Sequence, residues 1–390
     1  MRDGAALLYL DNNATTAIDP AVLEVMQHYL QHCYANPSSG YAFAAEARDA
    51  LETAREQVAA LLGCEASEIV FTSGGTEACN TALHSALQTA PERKHVVTTA
   101  VEHSAVLRPA QELQKRGYEV TFIRVDKSGQ LDLDALADSI RSDTALVAVM
   151  WANNETGVIF PMEKIARMTR EKGVPLLTDA VQAAGKIRIN LRDVPIQFLA
   201  ISGHKLHAPK GVGALYVNRR ARFRPLLLGG SHEGDRRAGT SNVASIVALG
   251  KAAEIALAAL AEEDTRVRKL RDRFEKVLLA RVDGAHVQGA ATERLPNTAS
   301  VRFDGIESEA ALLMLDQQGV CCSAGSACRT GSLSPSHVLT AMGLATEEAR
   351  GSLRFSFGRF NTEADLERAL EVIPRVVTKL RSLSPAAAVR

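Results

Sequence analysis

Several features that mark particular classes of protein are missing from this sequence. Its 45 basic and 45 acidic residues cancel, and a chain without net charge does not indicate a nucleic acid or an anionic membrane surface as partner. It has no apolar run long enough to span a bilayer, no short repeat and no low-complexity linker. The N-terminus meets Asp11 too early for a secretory signal. We therefore expect a cytoplasmic protein with no nucleic-acid and no membrane partner.

Cysteine is unevenly distributed along the chain. The stretch "GVCCSAGSACRTGS" (319–332) holds three of the six cysteines. In a reducing compartment, clustered cysteines are more often catalytic or metal-binding than disulfide-bonded. Adjacent cysteines point apart on a strand, and the spacing of common metal sites is absent, so we expect no fixed metal here. We expect one of Cys321 and Cys322 to be a small buried hydrophobe, and Cys33 and Cys64 to be packing residues.

The fold class follows from short apolar runs that alternate with helical patterns. Runs such as "EIVFTS" (68–73), "HVVTTA" (95–100) and "FLAISG" (198–203) lack polar alternation, which suits strands buried on both faces. Helical patterns over 76–88 and 104–116 separate some of them. Strands that alternate with helices predict βαβ crossovers and a mainly parallel sheet, and hence an α/β fold.

The chain of 390 residues is too long for one ordinary core, which predicts a large and a small domain. The stretch 241–282 predicts one long helix, or two in tandem, that leads out of the first domain. We expect a large α/β domain over 15–262 and a small α+β domain made of 1–14 plus 263–390. The cysteine stretch, at about 321–333, then belongs to the small domain.

Ligands of open parallel sheets bind beyond the carboxyl ends of the strands, so the residues there are candidates for a site. Gly74, Gly75 and Thr76 stand where a strand meets a helix. Glycines and a helix N-terminus suit a phosphate cradle, although a tight turn with Thr76 as N-cap is the alternative. His103 follows the next strand, either as a helix cap or as a functional residue.

Two further strand ends carry charged residues. Asp179 ends an apolar run, where it either caps a helix or holds a cationic ring nitrogen, a metal or a ribose. Lys205 follows another run, and a lysine in a dry cleft can form a Schiff base. His207 and Lys210 lie close by, so the choice of Lys205 is not forced. An anion cradle, a histidine, a carboxylate and a lysine in this order are what pyridoxal phosphate requires.

At this point the sequence resembles a known family. The resemblance extends over about residues 8–385 and rests on "YLDNNATT" (9–16), "NPSS" (36–39), "FTSGGTE" (71–77), "VEHSAV" (101–106), "WANNETG" (151–157), "TDAVQAAGK" (178–186), "SGHKLHAPKGVGALY" (202–216), "RRAGT" (236–240), "GSAC" (325–328), "SPSHVL" (334–339) and "RFSFGRF" (354–360). These motifs are similar to those of the cysteine desulfurases in the class-V aminotransferase superfamily, the nitrogen-fixation (NifS) type above all. The resemblance implies the aspartate-aminotransferase-like fold type I of pyridoxal-phosphate enzymes.

The resemblance also implies a role for each candidate residue. Lys205 would form the Schiff base, His103 would stack on the pyridine ring and relay protons, and Asp179 would pair with the ring nitrogen. Gln182 and Asn154 would contact the phenolic oxygen of the cofactor, and Arg354 with Asn36 would bind the substrate carboxylate. The phosphate would be bound by Gly75, Thr76, Ser202 and His204, and by Thr240 from the second subunit of a homodimer.

Cys328 resembles the nucleophilic cysteine of this family, and its glycine- and serine-rich setting suits a mobile loop. Its thiolate would attack the sulfur of L-cysteine, keep that sulfur as a persulfide and leave alanine. An iron–sulfur scaffold or another acceptor protein would then take the sulfur. The role also allows Cys328 to ligate an iron–sulfur cluster transiently.

Other functions remain open at the level of the sequence. A selenocysteine lyase or a C–S lyase of the same fold would not need Cys328. A non-enzymatic iron–sulfur scaffold would need neither Lys205 nor the cofactor. The destination of the sulfur is also open, because clusters for nitrogenase, general cluster assembly, tRNA thiolation and cofactor synthesis would use the same active site.

Overall fold

The computed structural model describes residues 7–324 and 335–383 of the chain. The strands of these residues are β1 (Leu8–Tyr9), β2 (Ile69–Thr72), β3 (His95–Thr99), β4 (Glu119–Ile123), β5 (Thr144–Ala148), β6 (Leu176–Asp179), β7 (Phe198–Ser202), β8 (Gly213–Val217), β9 (Ala285–Val287), β10 (Thr298–Phe303), β11 (Val320–Cys321), β12 (Ser323–Ala324) and β13 (Ser352–Ser356). The helices are α1 (Pro20–Gln31), α2 (Ala45–Leu62), α3 (Gly75–Thr89), α4 (Ser104–Lys115), α5 (Leu133–Ser139), α6 (Met162–Glu171), α7 (Val243–Ala258), α8 (Leu260–Glu262), α9 (Arg268–Arg281), α10 (Ser308–Gln317), α11 (His337–Ala341), α12 (Thr346–Arg350) and α13 (Glu363–Leu383).

A seven-stranded sheet in the order β2-β8-β7-β6-β5-β3-β4 forms the centre of the first part of the chain. All neighbouring pairs are parallel except those of β8, which runs antiparallel to both β2 and β7. Alternate residues of β5 pack into different cores, Val147 into one and Leu146 into the other, because successive side chains point to opposite faces. The predicted mainly parallel sheet, buried on both faces, is confirmed.

The carboxyl ends of the strands come together at one edge of this sheet. β2, β7, β6, β5 and β3 all point the same way, since β8 reverses direction between β2 and β7. α3 and α4 begin directly beyond this edge, where the sequence predicts helices. The edge therefore gathers residues that are far apart in the sequence.

The predicted helical stretch 241–282 is a tandem and not one long helix. α7 ends at Ala258, and the segment that follows contains a π-helical turn at Glu263–Val267. No single helix of the described residues is long and apolar enough to cross a membrane; α7 and Leu260–Arg281, bent by 51° between them, reach that length and composition only as a pair. α7 packs against α1 and α2 and is largely buried.

A second, antiparallel sheet in the order β12-β13-β10-β9 lies in the C-terminal part of the chain. It has its own hydrophobic core, in which Phe274 meets Phe355 and Phe357 at ring-centre distances of 5.1 and 5.5 Å. β1 pairs in parallel with β11, and Leu8 and Leu10 are buried in this same core. The domain boundaries at 14 and 262 stay a prediction.

Candidate active site

A cavity of about 560 Å³ opens at the carboxyl edge of the large sheet. The predicted site residues that line it are Gly75, Thr76, His103, Asn154, Asp179, Gln182, Ser202, His204, Lys205 and Arg354. Asn36 and Thr240 are exposed and do not line it. Cys328 lies outside the described residues.

The glycine-rich turn after β2 brings the N-terminus of α3 to this cavity. Gly74 is the N-cap residue of α3 and has a φ of 154°, a backbone conformation that residues other than glycine rarely adopt. Gly75 is packed so closely that an added Cβ atom would lie 2.7 Å from Val181 Cγ2. The alternative in which Thr76 caps the helix is wrong. The first backbone N–H groups of α3 have no carbonyl partner within the helix, so they can donate hydrogen bonds to an anion.

His103 combines the two roles that the sequence left open for it. It is the N-cap of α4, since its Nδ1 accepts a hydrogen bond from Ala105 N at 3.2 Å, and it also lines the cavity. In the neutral ring the proton therefore sits on Nε2.

Glu102, next to His103, was not singled out from the sequence. Its Oε1 accepts hydrogen bonds from Thr99 Oγ1 at 2.8 Å and from Met150 N at 2.9 Å. Burial raises the pKa of Glu102 to about 8. The Oε2 atom has no hydrogen-bond partner among the described residues. The carboxyl of Glu102, the residue before His103, is therefore largely protonated at neutral pH.

Asp179 is the last residue of β6 and is buried at the cavity wall. Its Oδ1 accepts a hydrogen bond from Val181 N at 2.9 Å, which resembles the capping alternative, although a turn and not a helix follows. Burial raises the pKa of Asp179, and the positive charges of His103 and Lys205 oppose that rise. A cation in the cavity would therefore favour its ionised form.

The amide of Gln182 is held in one orientation. Its Nε2 donates to the carbonyl oxygen of Asn13 at 2.9 Å, and its Oε1 accepts from Lys186 Nζ at 3.2 Å. Lys186 is buried, and burial lowers its pKa. Nothing in the sequence pattern around Lys186 indicated this contact, because it depends on how the turn after β6 folds.

Lys205 is the lysine that the fold places in the cavity. It ends the short helical turn Gly203–Lys205 after β7, and its Nζ donates to the carbonyl oxygens of Asn13 and of Ala14, the latter at 2.6 Å. Lys210 is exposed and does not line the cavity, nor does His207. The structure therefore resolves the choice among the three basic residues in favour of Lys205.

The neighbouring His204 is neutral at physiological pH. Burial, assisted by the charge of Lys205, lowers its pKa to about 4. Its Nδ1 lies 3.2 Å from Thr15 Oγ1. Together with the buried Ser202 it adds polar groups near the start of α3.

Arg354 comes from β13 of the second sheet and reaches the cavity across the junction. Its Nη2 donates to Asp11 Oδ1 at 2.8 Å, and its Nη1 donates to the carbonyl oxygen of Asn154 at 3.0 Å. Its Nε has no hydrogen-bond partner among the described residues. A buried guanidinium with a donor to spare suits a carboxylate ligand.

Asp11 and Asn13 are functional candidates that the sequence reasoning missed. Asn13 Nδ2 donates to Thr298 Oγ1 at 2.8 Å, while its carbonyl oxygen accepts from Gln182 and Lys205. The N-terminal segment therefore joins the lysine to the second sheet. Both residues stand in "YLDNNATT", which was the available signal.

The described residues on either side of the cysteine stretch line the cavity or contact a residue that lines it. On the N-terminal side, Ser323 of β12 pairs with Arg354, and its Oγ donates to Asp11 Oδ2 at 2.7 Å. On the C-terminal side, Pro335 and His337 line the cavity, and His337 Nε2 donates to the carbonyl oxygen of Glu102 at 3.0 Å.

Ser336 secures the C-terminal end further. Its Oγ donates to Glu155 Oε2 at 2.5 Å, and burial raises the pKa of Glu155 to about 7. At the other end, burial also raises the pKa values of Cys321 and Cys322, and Cys322 packs against the second core. Burial therefore disfavours the thiolate form of both cysteines.

The "RRAGT" segment (236–240) is tied to the start of α3. Arg237 Nε lies 2.9 Å from Glu77 Oε1, and Glu77 Oε2 accepts a hydrogen bond from Ser73 N at 2.8 Å. Thr240 follows at the surface. Asn36, also at the surface, uses its Oδ1 to accept a hydrogen bond from Ser38 N at 3.0 Å.

The residues around the cavity fit pyridoxal phosphate. The helix start at Gly75, next to Ser202, offers donors to a phosphate. Asp179 offers a buried carboxylate to a protonated ring nitrogen, and Lys205 offers an amine to the aldehyde. Gly74 and Gly75 carry no side chain, so the backbone at this turn can approach a ligand closely.

Comparisons with known proteins identify the family of this chain. The family model for class-V aminotransferases matches residues 8–369. A cysteine desulfurase of Nostoc sp. is 53% identical over 380 residues, 97% of this chain and 95% of that protein. The cysteine desulfurase NifS of Azotobacter vinelandii is 50% identical over 379 residues, 97% of this chain and 94% of that protein.

Among solved structures, a NifS-like protein matches with a TM-score of 0.89 and 37% identity, over 96% of this chain and 100% of that one. The expected fold type I and the expected family resemblance are confirmed. The chain therefore belongs to the cysteine desulfurases of the class-V aminotransferase family.

Proposed function

We propose that this enzyme removes the sulfur atom of L-cysteine, releases L-alanine and holds the sulfur as a persulfide on Cys328. The observation that carries the proposal is the position of the residues on either side of the stretch that contains Cys328: His337 lines the cavity of Lys205, and Ser323 pairs with Arg354, which lines it too. Cys328 is five residues from Ser323 in the sequence, so the length of chain between them would allow it to reach a bound substrate.

Cysteine desulfurases depend on pyridoxal phosphate, which when bound withdraws electrons from the α-carbon of its amino-acid substrate. Asp179 would hold the proton at the ring nitrogen, and the amides at the start of α3 would bind the phosphate. Arg354 would bind the substrate carboxylate through Nε, the donor without a partner among the described residues. His103 carries its proton on Nε2 and can move it within the cavity.

Cys328 would perform the sulfur transfer. Its thiolate attacks the substrate sulfur, a bond forms between the two sulfur atoms, and the Cβ–S bond breaks. The electron pair of that bond stays on carbon, which takes up a proton and becomes the methyl group of alanine. A free thiol has a pKa of roughly 8.5, so the attack needs a proton acceptor or a nearby cation.

The homodimer predicted from the sequence is part of the proposal. Three consecutive leucines just before "RRAGT" are exposed, Leu226 by 36%, Leu227 by 40% and Leu228 by 84%. Adjacent exposed apolar side chains favour association. We expect Leu228→Glu to shift the protein towards monomers in sedimentation experiments, whereas an unchanged dimer would place the interface elsewhere.

The persulfide sulfur is proposed to supply iron–sulfur cluster assembly in the cytoplasm through an acceptor protein. The similarity to NifS of Azotobacter vinelandii supports a role in nitrogen fixation. The test is sulfur transfer from the loaded enzyme to candidate scaffold proteins, followed by mass spectrometry of the acceptor. Equal transfer to unrelated thiol proteins would contradict a dedicated acceptor.

The reaction itself is tested by measuring alanine and sulfide from L-cysteine in the presence of a reducing thiol. The wild type should form both in equal amounts, Cys328→Ala should form neither, and Cys321→Ala should behave like the wild type. Selenocysteine should be offered to the same variants. If Cys328→Ala still releases alanine from cysteine, the enzyme is a lyase and Cys328 is not its nucleophile.

A further inference from the structure

Three side chains with metal-binding atoms converge on the outer side of the large sheet, away from the cavity. His28 lies in the last turn of α1, Cys33 follows that helix, and Glu46 lies in the first turn of α2. His28 Nε2 is 2.9 Å from Glu46 Oε1 and 3.2 Å from Cys33 Sγ. The three ligand atoms all lie within 4.8 Å of one another.

These distances match the edges of a metal-centred tetrahedron. With Zn–N and Zn–O bonds of about 2.0 Å and a Zn–S bond of about 2.3 Å, neighbouring ligand atoms are about 3.3 Å (N to O) and about 3.5 Å (N to S) apart. The observed 2.9 and 3.2 Å are shorter by a few tenths of an ångström. Two of the three edges are thus near those of a zinc site, and the third, between Cys33 Sγ and the Glu46 carboxylate, is at most 4.8 Å.

We propose that His28, Cys33 and Glu46 form a binding site for a divalent transition-metal ion. The set of one imidazole, one thiolate and one carboxylate favours Zn²⁺ over Mg²⁺ or Ca²⁺, which prefer oxygen ligands only. His28 and Glu46 have side chains exposed by 47% and 56%, so the fourth position is open to water.

Cys33 is thus more than the packing residue expected from the sequence. It is only 5% exposed, yet its Sγ lies 3.2 Å from His28 Nε2 and within 4.8 Å of the Glu46 carboxylate. An ion bound here needs Cys33 as the thiolate, so its binding should release a proton.

The ion would join the two ends of the segment 32–44. His28 and Cys33 lie at its start and Glu46 lies just after its end, while Asn36 stands inside it. Closing a loop by such a link stabilises the folded chain, because it removes freedom from the unfolded one. The site would therefore stabilise the segment that carries Asn36, and it shares no residue with the cavity of Lys205.

The test uses the full-length holoenzyme after treatment with a chelator, with Zn²⁺ and Co²⁺ as probes. Zn²⁺ content is measured by mass spectrometry, and Co²⁺ by its d–d bands, at longer wavelengths than the absorption of pyridoxal phosphate. The variants are His28→Gln and Cys33→Ser. The matched controls are His32→Gln, next to the site, and Cys64→Ser, another buried cysteine of the same region.

We expect one ion per chain fewer in His28→Gln and Cys33→Ser than in the wild type and in both controls. Removing a partner of a ligand weakens metal binding by about 10- to 100-fold, and removing a ligand should cost at least as much. Zn²⁺ should also raise the unfolding temperature of the wild type and not that of His28→Gln. An unchanged ion count in the exposed His28→Gln variant, or no ion in the wild type, would overturn the proposal.

Discussion

Replacement of Gly75 by alanine should damage the site through a single contact. The backbone of Gly75 is helical, so alanine can adopt it, but its Cβ atom would lie 2.7 Å from Val181 Cγ2. Normal carbon–carbon contacts are about 3.5–4.0 Å, so the two groups must separate by about 1 Å. Val181 cannot rotate freely because its side chain is β-branched.

The magnitude follows from this overlap. Forcing a methyl group into a packed site costs about 1–3 kcal/mol, and the helix preference of alanine returns up to about 1 kcal/mol. A shift of Val181 also disturbs its amide, which donates to Asp179. Gly75→Ala should therefore lower the free energy of unfolding by about 1–2 kcal/mol, and the shift of Val181 should also weaken pyridoxal phosphate binding.

The assay is a double-mutant cycle with Val181→Ala, read by urea unfolding of the apoprotein and by fluorescence titration with pyridoxal phosphate. Removing the Val181 methyl groups should relieve the clash and give a favourable coupling of about 1–3 kcal/mol. Gly74→Ala is the control, because its added Cβ meets only Ser202 Oγ at 3.8 Å and its cost comes from a φ of 154°. Val181→Ala should not rescue it. A coupling below about 0.5 kcal/mol for Gly75→Ala would refute the reasoning.

Two further predictions concern charged groups at the cavity. Arg354→Lys should raise KM for L-cysteine by about 10- to 100-fold in steady-state kinetics. The reason is that one ammonium group cannot bind Asp11, the Asn154 carbonyl and a substrate carboxylate together. An unchanged KM would rule out a role of Arg354 in binding the substrate carboxylate. Burial raises the pKa of Glu102 to about 8, above about 4.3 in an unfolded chain, so the folded state holds a proton that the unfolded state releases. The free energy of unfolding should therefore fall as the pH rises from about 4 towards 8, and Glu102→Gln should lack this part of the slope in urea titrations; parallel curves would contradict it.

The residue types of the site were predictable where a strand end and its chemistry coincide. His103, Asp179 and Lys205 each follow an apolar run, and the parallel sheet brings such ends to one edge. The antiparallel strand β8 did not disturb this, because it reverses direction between two strands that point the same way.

Contacts between distant segments were not predictable in this manner. Asp11 meets Arg354 across a separation of 343 residues, and Lys186 meets Gln182 only because of the turn that follows β6. The cluster of His28, Cys33 and Glu46 likewise depends on how α1 is placed beside α2. No local periodicity reports these distances, since each is set by the packing of separate elements.

The sequence by itself determined the alternation of strands and helices, the order of the motifs and the kinds of chemistry that they carry. These properties depend on neighbouring residues, through hydrophobic period, helix propensity and the conformations open to glycine. Only the tertiary structure decided which lysine enters the cavity, that the amide of Gln182 is held between Asn13 and Lys186, and that Arg354 reaches the cavity from the second sheet. The physical reason is that the packing of two sheets and the N-terminal segment positions these groups, and packing energy is shared among residues far apart in the chain.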